Sequence, residues 1–473
     1  MRAPELEGRL HPLVVIVLAR RFIGASLIPL FVLLLSLGTR ILVPLVLAAV
    51  FLGVPLALLW WWRFTYRVAE GRLEVRSGLI NRTTRVVPLD RVRGVDLTQP
   101  FFHRLIGLVK VEIEAAAGGG NKAEFSLAAV SRDEGQALRE RLLSGARAES
   151  IAEGPPLYGA SPGLLALGGL TSGRYLLAPT AVVGVLFNFA DNLPGGVMER
   201  ATEAVIDRAP TDPVAVVTAI GVGALLVLLL ATSGSLLVDW GFTLRAEGDR
   251  LTAERGLLTR RTVSIDRDRI RGLDVRDSPL RRPLGLASVT AVAGGVRRTG
   301  GRTTLAPVVR AGDVSALLRS IDPLAPDPSA GLAAHPRPAL GRRFVRALPP
   351  PALATAVALA FGWWWVAAAG LALTVGAVPL ALDRYRQLGH RFEGRRLTVR
   401  EGSLQRRWTE LDPAGIVSFE LRISPTQRRA DLATVVLHLG EGVGSRRALD
   451  AGAEQARTML AALQPRLFGP RSL

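Results

Sequence analysis

The sequence predicts a multispanning α-helical membrane protein carrying three small α+β modules, each a strand-rich barrel or sandwich closed by a C-terminal helix. Three observations predict it. Apolar blocks almost free of charge alternate with arginine-rich blocks, one short strand signature recurs three times, and a helix-forming stretch follows each recurrence.

The recurrence is in register. GRLEVRSGLINR is followed by RVRGV and IGLVKVEI, DRLTAERGLLTR by RIRGL and LGLASV, and RRLTVREGSLQR by GIVSF and ADLATVVLHL. Leu73, Gly78 and Gly107 match Leu251, Gly256 and Gly285 at a constant offset of 178 positions, and Leu73 and Gly78 match Leu397 and Gly402 at 324. Such a period marks one structural unit per copy. His-Pro at Pro12 and at Pro336 keeps the second offset, so the apolar hairpin repeats together with the strands.

A helix needs about 20 apolar residues to cross a bilayer. Residues 22–37 and 41–62 predict a first pair of spans turning at Gly38, Thr39 and Arg40. Residues 175–189 and 214–238 predict a second pair around a polar loop at 190–213, and 347–382 a third pair turning near 362–365. The predicted organisation is a lead-in segment and hairpin at 1–62, a module at 63–146, a lead-in and hairpin at 157–240, a module at 241–322, a linker at 323–346, a hairpin at 347–385 and a module at 386–468.

Arg20, Arg21, Arg63, Arg67, Arg342, Arg343, Arg346, Arg384 and Arg386 flank the spans on the module side, whereas the 190–213 loop is acidic. The positive-inside rule then makes the modules and both termini cytoplasmic, in a multi-pass protein of the bacterial inner (cell) membrane. The Trp60–Trp62 and Trp363–Trp365 triplets read as interface anchors. The N-terminus lacks the plan of a cleaved signal peptide, so the first apolar segment is expected to be retained. No charged residue or His lies inside a predicted span, which disfavours ion-coupled transport.

Of 59 basic residues only Lys110 and Lys122 are lysines, so the net charge of +19 is almost wholly arginine. A GC-rich genome accounts for that bias, and the balance also suits an anionic membrane face. Aromatic residues are 6% and sit in the apolar blocks, so no nucleic-acid partner is expected. With no cysteine, disulfides, thiolate metal sites and Cys nucleophiles are excluded. His11, His103, His335, His390 and His438 show no metal-ligand spacing and are expected at surfaces and interfaces. No Gly-x4-Gly-Lys-Ser/Thr loop is present, and GEGVGS at 440–445 lacks a following helix. No catalytic constellation, metal or cofactor is expected.

Within each module, apolar residues at Leu73 and Val75, Val86 and Val87, Val92 and Val95, and Val109, Val111 and Ile113 predict short strands. Ser131 to Glu134 predict a capping box for the closing helix, with Asp313 and Asp450 as caps in the other copies. Strands closed by one helix in about 85 residues outline a pleckstrin-homology (PH) fold. The order of Gly78, the Arg-Val-Arg-Gly step at 91–94, Gly107 and the 118–120 turn resembles the bacterial PH-like family of the YdbS type, formerly a domain of unknown function, in a three-copy membrane member. The third copy departs from the pattern, with Asp431 at the second glycine position and no Arg-Gly step.

That resemblance implies three PH-like domains that bind rather than catalyse. The candidate anionic-headgroup contacts are Arg72, Arg76, Arg82 and Arg85, then Arg250, Arg255, Arg260 and Arg261, then Arg395, Arg396, Arg400, Arg406 and Arg407. The repeat-defining glycines Gly78, Gly107, Gly256, Gly285 and Gly402 are structural. The expected function is a non-enzymatic, membrane-anchored scaffold that binds lipid headgroups or partner proteins, among them a related PH-like membrane protein, in envelope maintenance or stress defence. The alternative is a lipid or small-molecule transporter or translocase using the hairpins.

Overall fold

The computed structural model describes residues 6–14, 51, 55, 58–78, 82–89, 92–115, 124–143, 155–173, 212–293, 302–328, 331–393, 396–440 and 444–468. They form two compact units, one of residues 1–153, 161–243 and 252–264, the other of residues 154–160, 244–251 and 265–473.

In the first unit a short strand, Leu6–Gly8, leads into the antiparallel meander β1 (Thr65–Ala69), β2 (Arg72–Ser77) and β3 (Thr83–Pro88). A second antiparallel sheet holds β4 (Val92–Gln99), β5 (Leu108–Ala115) and β6 (Glu124–Ser131). Alternation aims Tyr66, Leu73 and Val75 from one sheet, and Val95, Val111, Ile113 and Leu127 from the other, into one core. The closing helix α1 (Arg132–Leu143) covers that core with Leu138 and Leu142. Ser131 Oγ accepts from the Glu134 amide at 3.3 Å, but the Glu134 carboxylate accepts from the buried Tyr66 hydroxyl, so it ties the helix to the sheet.

The helices α2 (Pro162–Leu170) and α3 (Pro213–Asp239) follow. Asp212 caps α3 through the Ala215 amide at 3.0 Å, and a Cβ at Gly169 would sit only 2.6 Å from Ser235 of α3, so the glycine lets the two helices close. The second copy opens with β7 (Thr243–Glu247), β8 (Arg250–Arg255) and β9 (Arg260–Asp266). Residues 260–262 of β9 pair antiparallel with residues 97–99 of β4, so the first copy's second sheet runs on into the second copy.

The second unit repeats this arrangement one copy later. It holds β10 (Ile270–Asp277), β11 (Leu286–Ala293) and β12 (Arg302–Arg310), then helix α4 (Val314–Ile321), α5 (Pro338–Ala347), α6 (Pro349–Ala360) and α7 (Trp364–Arg386). The third copy supplies β13 (Gly389–Glu393), β14 (Arg396–Glu401), β15 (Arg406–Leu411), β16 (Ile416–Arg422), β17 (Leu432–Leu439) and β18 (Gly444–Gly452), closed by α8 (Ala453–Phe468). One sheet runs β12-β11-β10-β15-β14-β13 and ends on the short strand Ala333–Ala334, while β16-β17-β18 form another. Gly272 marks the seam, since a Cβ there would overlap the Glu410 carbonyl of β15. Neither predicted acidic cap caps its helix. Asp313 makes no side-chain capping bond, and the Asp450 carboxylate instead holds Arg342 at 3.0 Å and Arg343 at 2.6 Å.

The predicted multispanning helical class is corrected. The described chain is sheet-rich, and among the described residues two helices, α3 and α7, are long and apolar enough to cross a membrane. The third apolar block does turn where expected, with Gly362 at φ +71°, but its first arm, α6, has 12 residues. At about 1.5 Å per residue that is about 18 Å, short of a hydrocarbon core of about 30 Å. Segments 22–37 and 175–189, most of 41–62 and the loop at 190–211 lie outside the described residues. His103, His335 and His390 are buried rather than surface residues, and His335 Nε2 lies 3.0 Å from His390 Nδ1.

The repeat glycines hold one backbone state. Gly78, Gly256 and Gly402 have φ of +113°, +110° and +101°, and a Cβ at either of the last two would overlap a carbonyl oxygen three residues on. Gly402→Ala is therefore expected to destabilise the chain by about 2–3 kcal/mol, measured as thermal unfolding in detergent. Gly107 and Gly285 are left-handed at +70° and +59°, and Asp431 takes the same state at +50°. Asp is among the few side chains that tolerate it, so the third copy keeps the turn without the glycine.

Candidate functional site: an anion-binding cleft

The three arginine sets meet different partners. In the second copy, Arg250 pairs with Asp266 at 2.6 Å, Arg255 with Asp239 at 2.8 Å, Arg260 with Glu254 at 2.9 Å and Arg261 with Asp96 at 3.0 Å. In the third, Arg396 lies among Asp322, Glu410 and Asp412, Arg406 pairs with Asp383 at 2.6 Å, and Arg407 lies 3.6 Å from Glu401. Arg400 donates to the carbonyls of Arg386 and Gln387, and burial followed by the nearby Arg406 pulls its guanidinium below the usual range. Arg395 lies outside the described residues.

The first set differs. Arg76 and Arg82 converge on a cleft of 530 Å³ lined also by Arg9, Trp62, Arg63, Thr65, Ser77, Gly78, Thr83 and Thr84. Arg72 and Arg85 are exposed outside that lining. The cleft lies where β1 and β3 begin, β2 ends and the chain leaves the Trp60–Trp62 segment, with Gly78 at φ +113° in its wall. Four arginines line it, and among the described residues no carboxylate does. Glu74 approaches Arg76 at 3.6 Å, but both side chains are exposed and screened by water.

Guanidinium stays charged at any physiological pH and presents paired N–H donors that fit phosphate or carboxylate oxygens. Threonine and serine hydroxyls on the same wall add neutral donors. The arrangement can therefore hold an oxyanion without proton transfer.

The constant offsets show how the corresponding positions differ in the other copies. Arg76 corresponds to Glu254, which neutralises Arg260, the counterpart of Arg82. In the third copy Arg406 takes that place, and Asp383, where the first copy has Leu59, neutralises it. A 320 Å³ cleft on the second unit contains Arg400, Arg406 and Arg407, but Asp277 and Asp327 line it too. Arg9 and Arg63 escaped the sequence reading as site residues because they lie outside the strand signature. Arg63 carried only an orientation signal, and nothing local marks Arg9.

Trp62, 58% exposed, sits at the cleft's edge, whereas Trp61 donates its indole N–H to the Leu10 carbonyl at 2.6 Å. An exposed indole beside basic groups at the end of an apolar segment suits the membrane–water boundary.

Comparison with known proteins matches a family model described as "Bacterial PH domain" to residues 23–146, 204–325 and 345–466. The chain is similar to "UPF0699 transmembrane protein YdbT" of Bacillus subtilis (strain 168), with 23% identity over 286 residues, 56% of this chain and 57% of that protein. The match thus spans little more than half of that relative's length. No solved structure matches.

Proposed function

Because the chain belongs to the bacterial PH domain family, we propose that it is a non-catalytic membrane-anchored scaffold whose first copy holds anionic lipid headgroups in the Arg9–Arg63–Arg76–Arg82 cleft. The observation that carries this reading is four arginines facing one cleft with no lining carboxylate among the described residues, beside the exposed Trp62. The second and third copies, in which Arg260 and Arg406, the counterparts of Arg82, pair with Glu254 and Asp383, then serve as framework. Arg384 and Arg386 at the end of α7 lie on the domain side of an apolar helix, which supports a cytoplasmic placement of the domains against the anionic leaflet of the bacterial cell membrane.

Each arginine beside an anionic surface contributes about 1 kcal/mol, so the triple substitution Arg63→Gln, Arg76→Gln and Arg82→Gln is expected to weaken binding by roughly 100-fold. The measurement is binding of fluorescent phosphatidylglycerol to the purified full chain in phosphatidylcholine nanodiscs. Affinity within threefold of the parent would sink the proposal. The same substitutions made at Arg250, Arg255 and Arg261 should leave phosphatidylglycerol binding unchanged.

A further inference from the structure

Two junctions in this protein use one register. At the first, Gln99, Thr98 and Leu97 of β4 face Arg260, Arg261 and Thr262 of β9. At the second, Asp277, Arg276 and Val275 of β10 face Arg406, Arg407 and Trp408 of β15. Shifted by the repeat offsets, these are the same three pairs. Each copy thus offers its fourth strand to the third strand of the copy that follows.

The repeat stops with two strands of this kind at sheet edges. β3, the counterpart of β9 and β15, is the last strand of its sheet, and β16, the counterpart of β4 and β10, is the first strand of its own. Their surfaces agree with that position. In β15 the last four residues are buried, whereas in β3 the first four are exposed and Val86 is 48% open. β10 is buried or half-buried throughout, whereas most of β16 is exposed, with Val417 67% and Leu421 42% open. Exposed edges of this kind are templates for another strand.

We infer that copies of this chain join head to tail, β16 of one pairing antiparallel with β3 of the next in the register of the two internal junctions. That register sets Phe419 opposite Val86, Leu421 opposite Thr84 and Glu420 opposite Arg85. The acidic position is common to all three copies, and both internal junctions use it. Asp96 accepts from Arg261 of the incoming strand at 3.0 Å, and Asp274 accepts from Thr409 at 2.7 Å. Glu420 is the third member, already touching Arg422 and His438 on its own sheet, and the incoming strand brings it Arg85. Opposite charges directly across an antiparallel pair attract, and like charges there repel.

The ladder ends at Phe419 and Val86. Ser418 stands where Gly272 clears a neighbouring carbonyl, so the last step of the second junction is closed to it. The contact is heterologous, leaving one edge of each kind free on every open assembly, and it produces rings or rows rather than isologous dimers.

The absence of native cysteine makes the test clean. Arg85→Cys and Glu420→Cys are made in separate full-length chains, mixed in native-like membranes and oxidised. Cβ atoms of directly opposed residues lie about 4.5–5.5 Å apart, close to disulfide reach. The expected result is a crosslinked dimer from the mixture, none from either variant alone, and a ladder from the double variant. As a second measurement, Arg85→Glu and Glu420→Arg should each weaken self-association by on the order of tenfold, and the two together should restore it. A double variant that crosslinks only within one chain, a monomer mass throughout, or capture of the Glu420→Cys thiol by a different membrane protein would each overturn the inference. None of these readouts involves lipid binding, so the proposal stands or falls apart from the headgroup cleft.

Discussion

Asp274→Ala is expected to destabilise the protein by about 3–5 kcal/mol, the range for removing one partner of a buried ion pair. Asp274 is fully buried on β10, where it accepts from Thr409 at 2.7 Å, Arg276 at 2.8 Å and Arg446 at 3.1 Å. Arg446 is itself 3% exposed, so removing the carboxylate strips a buried cation of its ion-pair partner. Burial alone would raise the Asp274 carboxyl, but Arg446, Arg276 and the Thr409 hydroxyl outweigh it and hold the group below the usual range. Its contribution is therefore present above about pH 4 and is lost as pH falls through the depressed value. Thermal unfolding of the detergent-solubilised chain should show the parent losing stability at acid pH, and Asp274→Ala already low at pH 7. A loss under 1 kcal/mol would mean that Arg446 swings to water when released.

Glu410→Gln is expected to change stability in the opposite sense. Arg396 sits among three carboxylates, and Glu410 is the deeply buried one. Burial pushes its carboxyl up to about 8 against the pull of Arg396, with Asp322 and Asp412 adding to the rise. A group raised on folding stabilises fully below its unfolded value near 4.5, and that stability drains away as pH climbs through 8. The parent should thus weaken between about pH 5 and 8, while the Gln variant, a permanent mimic of the protonated acid, stays level. At pH 8 the variant should be the more stable by roughly 4 kcal/mol. Parallel pH curves for the two proteins would show that Glu410 stays ionised beside Arg396.

Much of the strand framework was legible because it depends on local rules. Leu73 and Val75 alternate into the core, Gly78 and Gly402 need a left-handed turn, and the constant offset correctly placed Asp431 at a position where Asp tolerates that state. Interactions between distant segments were not legible. The Arg-Gly step read only as a family feature, because what gives Gly272 its purpose is the Glu410 carbonyl of the following copy. The three arginine sets looked alike in spacing. Asp239, Asp322 and Asp383, far away in sequence, neutralise members of two of them and leave the first to form the cleft. Hydropathy registers apolar length but not helix breaks, so residues 347–382 read as two spans where α6 proves too short.

The seam at β4 also sets a schedule for synthesis. That strand's neighbour lies in residues 260–262, so the first compact unit cannot close its sheet until some 160 further residues have left the ribosome. At about 5–20 residues per second the interval is roughly 10–30 s, far longer than a small domain needs to fold. Throughout it the nascent chain displays an unfilled strand edge, and on a polysome its neighbours display the same one. The apolar helix α3, long enough to cross a membrane, lies in that intervening stretch and leaves the ribosome before the partner strand does.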